Sequence, residues 1–151
     1  MQNVPIDITN EKIAKLRDHI NSNFDAVNPD GSLNLDKAQR NVAYSIGNIY
    51  TNYNGLLLQE KHKLIDIETD LKMIKAITYD EIKRTQLAYD VDSKGVLVIL
   101  EGHEKVRKKQ SEYDKQQAYV EFLENTLKQI GYYSNGVRVM LQKEELKLKY
   151  G

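Results

Sequence analysis

The chain has 151 residues, 22 Lys plus Arg against 22 Asp plus Glu, 40% hydrophobic and 29% charged residues, and neither Cys nor Trp. That length fits one domain with a modest core, and a chain without cysteine has no disulfide framework, thiolate nucleophile or Cys-ligated zinc. The longest apolar run, Val96-Leu97-Val98-Ile99-Leu100, falls far short of the ~20 residues that cross a bilayer.

Asp7, Glu11, Asp18, Asp25 and Asp30 punctuate residues 1–30 without an apolar block, so no secretory signal is expected. The expectation is a soluble, cytoplasmic, all-α protein with no membrane contact. Residues 1–35 read as an N-terminal arm with one short helix. Thr9 or Asn10 is placed to cap it, because a short side-chain oxygen accepts a hydrogen bond from an unpaired amide. Ile13, Leu16, Ile20 and Phe24 follow as an amphipathic stripe, and Asn28-Pro29-Asp30-Gly31-Ser32 ends it with turn chemistry.

Residues 36–151 read as a helical hairpin. Asp36 is placed as its first cap. Ile46, Tyr50, Tyr53, Leu57, Glu60, Leu64, Ile67, Leu71 and Ile74 then alternate at spacings of 4 and 3, the 3.5-residue period of a coiled-coil seam. Val42, Ile49 and Leu56, with Leu58 nearby, form a second stripe beside it. Gly47 and Gly55 weaken a helix interior by about 1 kcal/mol each, which points to close approach of another backbone there. A helix from Asp36 to Thr85 would be roughly 75 Å long at ~1.5 Å per residue. Such a rod outruns what one chain covers, so neighbouring copies are expected along it.

Residues 86–102 read as an elbow, with Asp90-Val91-Asp92-Ser93-Lys94-Gly95 as a polar turn before the apolar run. Val106, Tyr113, Val120 and Leu127 then fall at heptad spacing, with Leu123 and Ile130 at the alternate position. Gly131 and Asn135-Gly136 predict a bend before a last amphipathic helix carrying Val137, Met140, Leu141, Leu146 and Leu148. The fold expectation is two long antiparallel helices with a short helix at each end, assembling as a homo-oligomer. Its oligomer seam would be Ile46, Tyr50, Tyr53, Leu57, Leu64, Ile67, Leu71, Ile74, Val120, Leu123, Leu127 and Ile130.

Enzyme chemistry finds little footing. Asp90, Asp92, Gly95, Leu97 and Glu101 match positions 1, 3, 6, 8 and 12 of a calcium loop, where oxygens at those offsets converge on one cation. Lys94, however, sits where a ligand belongs, which leaves Asp90, Asp92 and Glu101 as weak candidates. His19, His62 and His103 make no pair one helical turn apart, and Asp66, Glu68 and Asp70 alternate around a helix instead of converging. No phosphate loop or nucleophile elbow occurs. The expectation is no catalysis, no metal and no cofactor.

Basic residues do cluster. Lys72, Lys75, Lys83 and Arg84 precede the elbow, Lys94 lies in it, and Lys105, Arg107, Lys108 and Lys109 follow. A phosphate backbone is neutralised by such a stripe, and Tyr79 or Tyr89 offers a stacking face for an unpaired base. Asp80, Glu81 and Glu104 dilute the patch, as on any charge-rich coiled-coil face.

Leu100-Glu101-Gly102-His103-Glu104-Lys105-Val106, the run from Tyr119 to Ile130, and the closing helix to Gly151 resemble the UvsY-type recombination mediator proteins of T-even-like bacteriophages. The likeness covers roughly residues 34–151 in layout and the last third at residue level. It implies a ring- or barrel-like homo-oligomer in the hexamer to heptamer range, located in the host cytoplasm, that binds single-stranded DNA. It further implies loading of a RecA-like recombinase onto strands coated by a single-strand-binding protein. The family places a Lys/Arg pair before paired tyrosines and a glycine. Here Lys83, Arg84 and Tyr89 match that role, although the Tyr-Tyr-Ser-Gly core is missing. The competing expectation is a structural or scaffolding coiled-coil protein of a phage or other assembly.

Overall fold

A computed structural model describes residues 8–32, 34–86 and 92–151. It is all-α. Helices α1 (Ile8–Phe24), α2 (Leu35–Ser45), α3 (Thr51–Gln86), α4 (Ser93–Gly102) and α5 (Glu104–Tyr150) follow in order, with a π-helical turn at Ile46–Tyr50 between α2 and α3. None of the helices is long and apolar enough to cross a membrane among the described residues. The chain forms two compact units, Met1–Leu58 with Glu121–Gly151, and Gln59–Val120. Both long helices contribute to each, and α1 and α2 share a unit with the second half of α5.

In the first unit α1 packs on α2. The connecting turn forms where the sequence predicts it. The Gly31 amide donates to the Asn28 carbonyl at 2.9 Å, and Gly31 takes φ +84°, a conformation that glycine adopts without a Cβ clash. The Asp30 carboxylate accepts from the Ser32 amide at 2.9 Å and hydroxyl at 2.6 Å, and those bonds lower its pKa. The caps differ from expectation. Thr9 and Asn10 lie within α1. The Asn34 side chain, not Asp36, accepts from an amide of the first turn of α2, that of Lys37, at 3.0 Å. Ala26 of the turn, Ala38 of α2 and Val137 of α5 are buried together, with Val42, Tyr133 and Leu141 against them. Burial, then the nearby Asp25 charge, raises the Tyr133 pKa.

The π turn changes the buried face. It winds one more residue into the turn than an α-helix does, so the core passes from the second predicted stripe, Val42 and Ile49, onto the first at Tyr53. Ile49 is 8% exposed whereas Tyr50, expected in the seam, is 43% exposed. Beyond it the 3.5-residue period holds: Tyr53, Leu57, Glu60, Leu71, Thr78 and Ile82 are buried, and Leu64, Ile67 and Ile74 are half-buried. On α5 the same rhythm buries Val106, Val120, Leu123, Leu127, Ile130 and Val137.

Of the residues assigned to an oligomer seam, Tyr53, Leu57, Leu71, Val120, Leu123, Leu127 and Ile130 are buried in the single chain, whereas Leu64, Ile67 and Ile74 are half-buried and Tyr50 is exposed. The apolar surface of the buried residues is removed from water by the chain's own fold. No backbone of the described residues lies close to Gly47 or Gly55: a Cβ at either would meet nothing within 4 Å. Nor does α5 bend at Gly131 or Gly136. It runs unbroken to Tyr150, so the separate C-terminal helix is its last part.

In the second unit α3 and α5 run antiparallel. Glu60 meets Gln116, Asp70 meets Lys109 at 4.0 Å and Lys75 meets Gln110 at 3.3 Å, so partner numbers fall overall as α3 advances. Helix α4 bridges the two. Asp92 caps it, its carboxylate accepting from the Gly95 amide at 2.8 Å. His103 ends it in an extended conformation, its amide bonded to the Leu100 carbonyl while its own carbonyl accepts from Arg107 at 2.9 Å. A single residue thus closes one helix and opens the next. Ile82, Val96, Leu100 and Val106 join the three helices in one apolar cluster, with Ile74 and Tyr79 packed against it.

Leu123→Ala is expected to destabilise the fold by about 2–5 kcal/mol, because Leu123 is 0% exposed; Leu148→Ala, at an 87% exposed site, stays within about 0.5 kcal/mol. Gly55→Ala is expected to stabilise by about 1 kcal/mol. Urea unfolding followed by circular dichroism measures all three.

Candidate nucleic-acid interface

The Ile82–Val96–Leu100–Val106 cluster determines which basic residues share one end of the second unit. It holds the last turns of α3, all of α4 and the first turn of α5 together. Lys83 and Arg84 occupy the last turn of α3, Lys94 the first turn of α4, and Lys105, Arg107 and Lys108 the first turns of α5. All six are exposed.

Ion pairing sorts the predicted cations. Lys72 is taken by Glu68 at 3.0 Å. Lys109 is taken by Glu112 at 2.8 Å and Asp70 at 4.0 Å, and the Glu112 hydrogen bond leads the causes that raise its pKa. Lys75 is half-buried, and its ammonium donates to Gln110. Lys83, Arg84, Lys94, Lys105, Arg107 and Lys108 form no ion pair with another described residue.

The two helix ends treat these charges differently. Cations at the C-terminus of α3 suit the negative end of its dipole, whereas those at the start of α5 add to a positive end whose first amides have no intrahelical partner. Unpaired cations and a helix N-terminus together favour an anionic group. The Lys83 ammonium lies 5.8 Å from the centroid of the half-buried Tyr79 ring. That spacing suits a cation–π contact and leaves a phenol beside a free charge. Between α3, α4 and α5, a groove of about 450 Å³ is lined by Lys75, Glu101, Val106, Arg107, Gln110, Ser111 and Asp114. Its walls carry both signs of charge together with amide and hydroxyl groups, donors and acceptors of the kind that meet a base edge.

Of the other predicted positions, Tyr89 and Asp90 lie outside the described residues. The weak calcium-loop candidates other than Asp90 fall on or at α4. Gly95, Leu97 and Glu101 lie on α4, and the Asp92 carboxylate caps that helix. No group of three or more metal-ligating side chains occurs among the described residues.

Sequence reasoning missed the polar contact inside the seam. Glu60 is 3% exposed; its Oε2 accepts from Gln116 Nε2 at 2.6 Å, its carbonyl accepts from the same nitrogen at 3.0 Å, and Oε1 accepts from Lys63 at 2.7 Å. The signal was present, since Glu60 and Gln116 fall in the seam rhythm of their helices, but nothing in one dimension pairs them. Gln110 and Ser111 of the groove were missed for the same reason. The Nδ1 atom of His103 is buried without a hydrogen-bond partner.

Comparison with family models, with curated proteins and with solved structures finds no match to this chain.

Gln116→Ala removes both bonds to Glu60 and is expected to destabilise by about 1–3 kcal/mol, whereas Lys75→Ala, losing a long bond at a half-buried site, changes stability by less than about 1 kcal/mol. Chemical denaturation of both variants checks the order.

Proposed function

We propose that the protein binds single-stranded DNA without catalysis, as a homo-oligomer, and acts as a recombination mediator. The observation that carries this reading is the set of exposed cations from α3 and α5, ion-paired with no other described residue, namely Lys83, Arg84, Lys105, Arg107 and Lys108, gathered at one apolar cluster beside Tyr79. The resemblance to UvsY-type mediators supports it on the Lys83–Arg84 pair. Cations of this kind attract a phosphate backbone through counterion release, and an adjacent phenol stacks on an unpaired base in a way that a duplex does not offer.

One protomer supplies few contacts, each screened within about 8–10 Å in physiological salt. Repeating the patch on several copies makes later contacts intramolecular and raises avidity by ~10²–10⁴. A strand held in this way is extended and its coat of single-strand-binding protein loosened, which is the form a RecA-like recombinase needs for loading. The work is done by binding free energy alone.

Lys83→Ala combined with Arg84→Ala is expected to weaken binding to an oligothymidylate and to reduce the slope of log K against log salt by about 1.4, at ~0.7 per lost phosphate contact. Fluorescence anisotropy at several salt concentrations reads both. An unchanged slope removes the pair from the site, and a wild-type protein without salt-dependent binding favours the scaffolding role.

A further inference from the structure

Helix α4 is apolar on two sides. Its inward side, Val96 and Leu100, is buried in the three-helix cluster. Its outward side carries Leu97 at 50% and Val98 at 69% exposure, flanked by exposed Lys94 and Glu101. Lys94, Leu97, Val98 and Glu101 stand at i, i+3, i+4 and i+7, within an arc of about 100° at ~100° per residue, its centre about 130° round the helix from that of Val96 and Leu100. A helix apolar all round is normally covered all round.

The order of charges selects what covers it. Along this stripe a cation stands one turn before the apolar pair and an anion one turn after it. Neither Lys94 nor Glu101 is ion-paired with another described residue. Reversing the helix exchanges the two charges and the two apolar residues, so the stripe is complementary to its own antiparallel image. That is the requirement of an isologous two-fold contact, in which one patch meets itself. Phosphate is a poor occupant, since Glu101 repels it and the centre of the stripe is apolar. An anionic lipid surface is poorly matched too, because the stripe carries one charge of each sign.

We propose that the outward face of α4 docks on the same face of a second copy, the helices antiparallel and the two-fold axis passing between Leu97 and Val98. Lys94 of each protomer then lies against the partner's Glu101, and Leu97 against the partner's Val98. Gly102 borders the stripe, and a Cβ there would meet nothing within 4 Å, which leaves room for the approaching helix. Two ten-residue helices bury less than the ~800 Å² per partner of a standard interface, so the dimer is weak and concentration-dependent. Lys94, counted among the DNA-binding cations on sequence grounds, is reassigned to this contact. The inference takes from the proposed function only its self-association and stands apart from DNA binding.

Sedimentation velocity of the full chain between 1 and 200 µM, with circular dichroism to confirm folding, tests the contact. The wild-type chain is expected to pass from monomer to a larger species across that range. Lys94→Glu alone and Glu101→Lys alone each set like charges against one another twice per dimer and are expected to raise the dissociation constant by about tenfold or more. The combined K94E/E101K chain restores both pairs in reversed sense and is expected to return within about threefold of wild type. Val98→Asp abolishes association while the helical spectrum is retained. A wild-type monomer at 200 µM, single changes without effect, or a double swap as weak as its parents overturns the proposal. Adding a labelled oligothymidylate separates the two readings. Charge-dependent dimers that ignore the strand sink only the mediator role, and strand binding by a chain whose assembly ignores α4 sinks only this contact.

Discussion

Closure of α3 on α5 along a seam of 3.5-residue period is the constraint on which everything else in the second unit depends. An apolar seam alone specifies depth of burial but not register, because sliding one helix by a heptad presents a similar face. Glu60 removes that freedom. Its carboxylate is withdrawn from water, and an unmatched buried charge is heavily disfavoured. Lys63, on the same helix, and Gln116, on α5, satisfy it, and a slipped pairing loses the two Gln116 bonds. A single polar residue in a hydrophobic seam commonly sets register in this way, at some expense in stability.

With register set at Glu60, the far end of the unit follows. Lys75 reaches Gln110, Asp70 faces Lys109, and Ile82 arrives beside Val106. Helix α4 fills the space that remains between a descending and an ascending helix, and its two caps, Asp92 and His103, leave it no further residue to grow by. The basic residues at the helix ends are thereby carried to one place by apolar contacts that have no charge themselves. Lys63 and Lys109 are ion-paired, whereas Lys83, Arg84, Lys94, Lys105, Arg107 and Lys108 are exposed.

The first unit is organised differently. There the π turn lets one continuous helical run present two successive stripes to the core, Val42 and Ile49 before Tyr53 and Leu57. The Asn28–Ser32 turn folds α1 back onto α2, and the small residues Ala26 and Ala38 lie buried beside Val137. Bulkier side chains at those two positions would hold the turn away from α5.

Periodicity alone determined much of this protein. The all-α class, the seam from Tyr53 to Ile74, the heptads of Val106, Val120 and Leu127 and the Asn28–Ser32 turn are local properties, set by side-chain spacing and backbone preference within a few residues. Other features were decided only in three dimensions. The π turn exposes Tyr50 because helix phase depends on how the whole run packs. Asn34 caps where Asp36 was expected because several short polar residues compete for one amide. Residues Ser93–Gly102 form a helix despite the β-branched Val96, Val98 and Ile99, because Val96 and Leu100 are buried against Ile82 and Val106. Whether a seam is closed by its own chain or by another copy is likewise invisible in one dimension, since an apolar stripe records that it is to be covered and not by what.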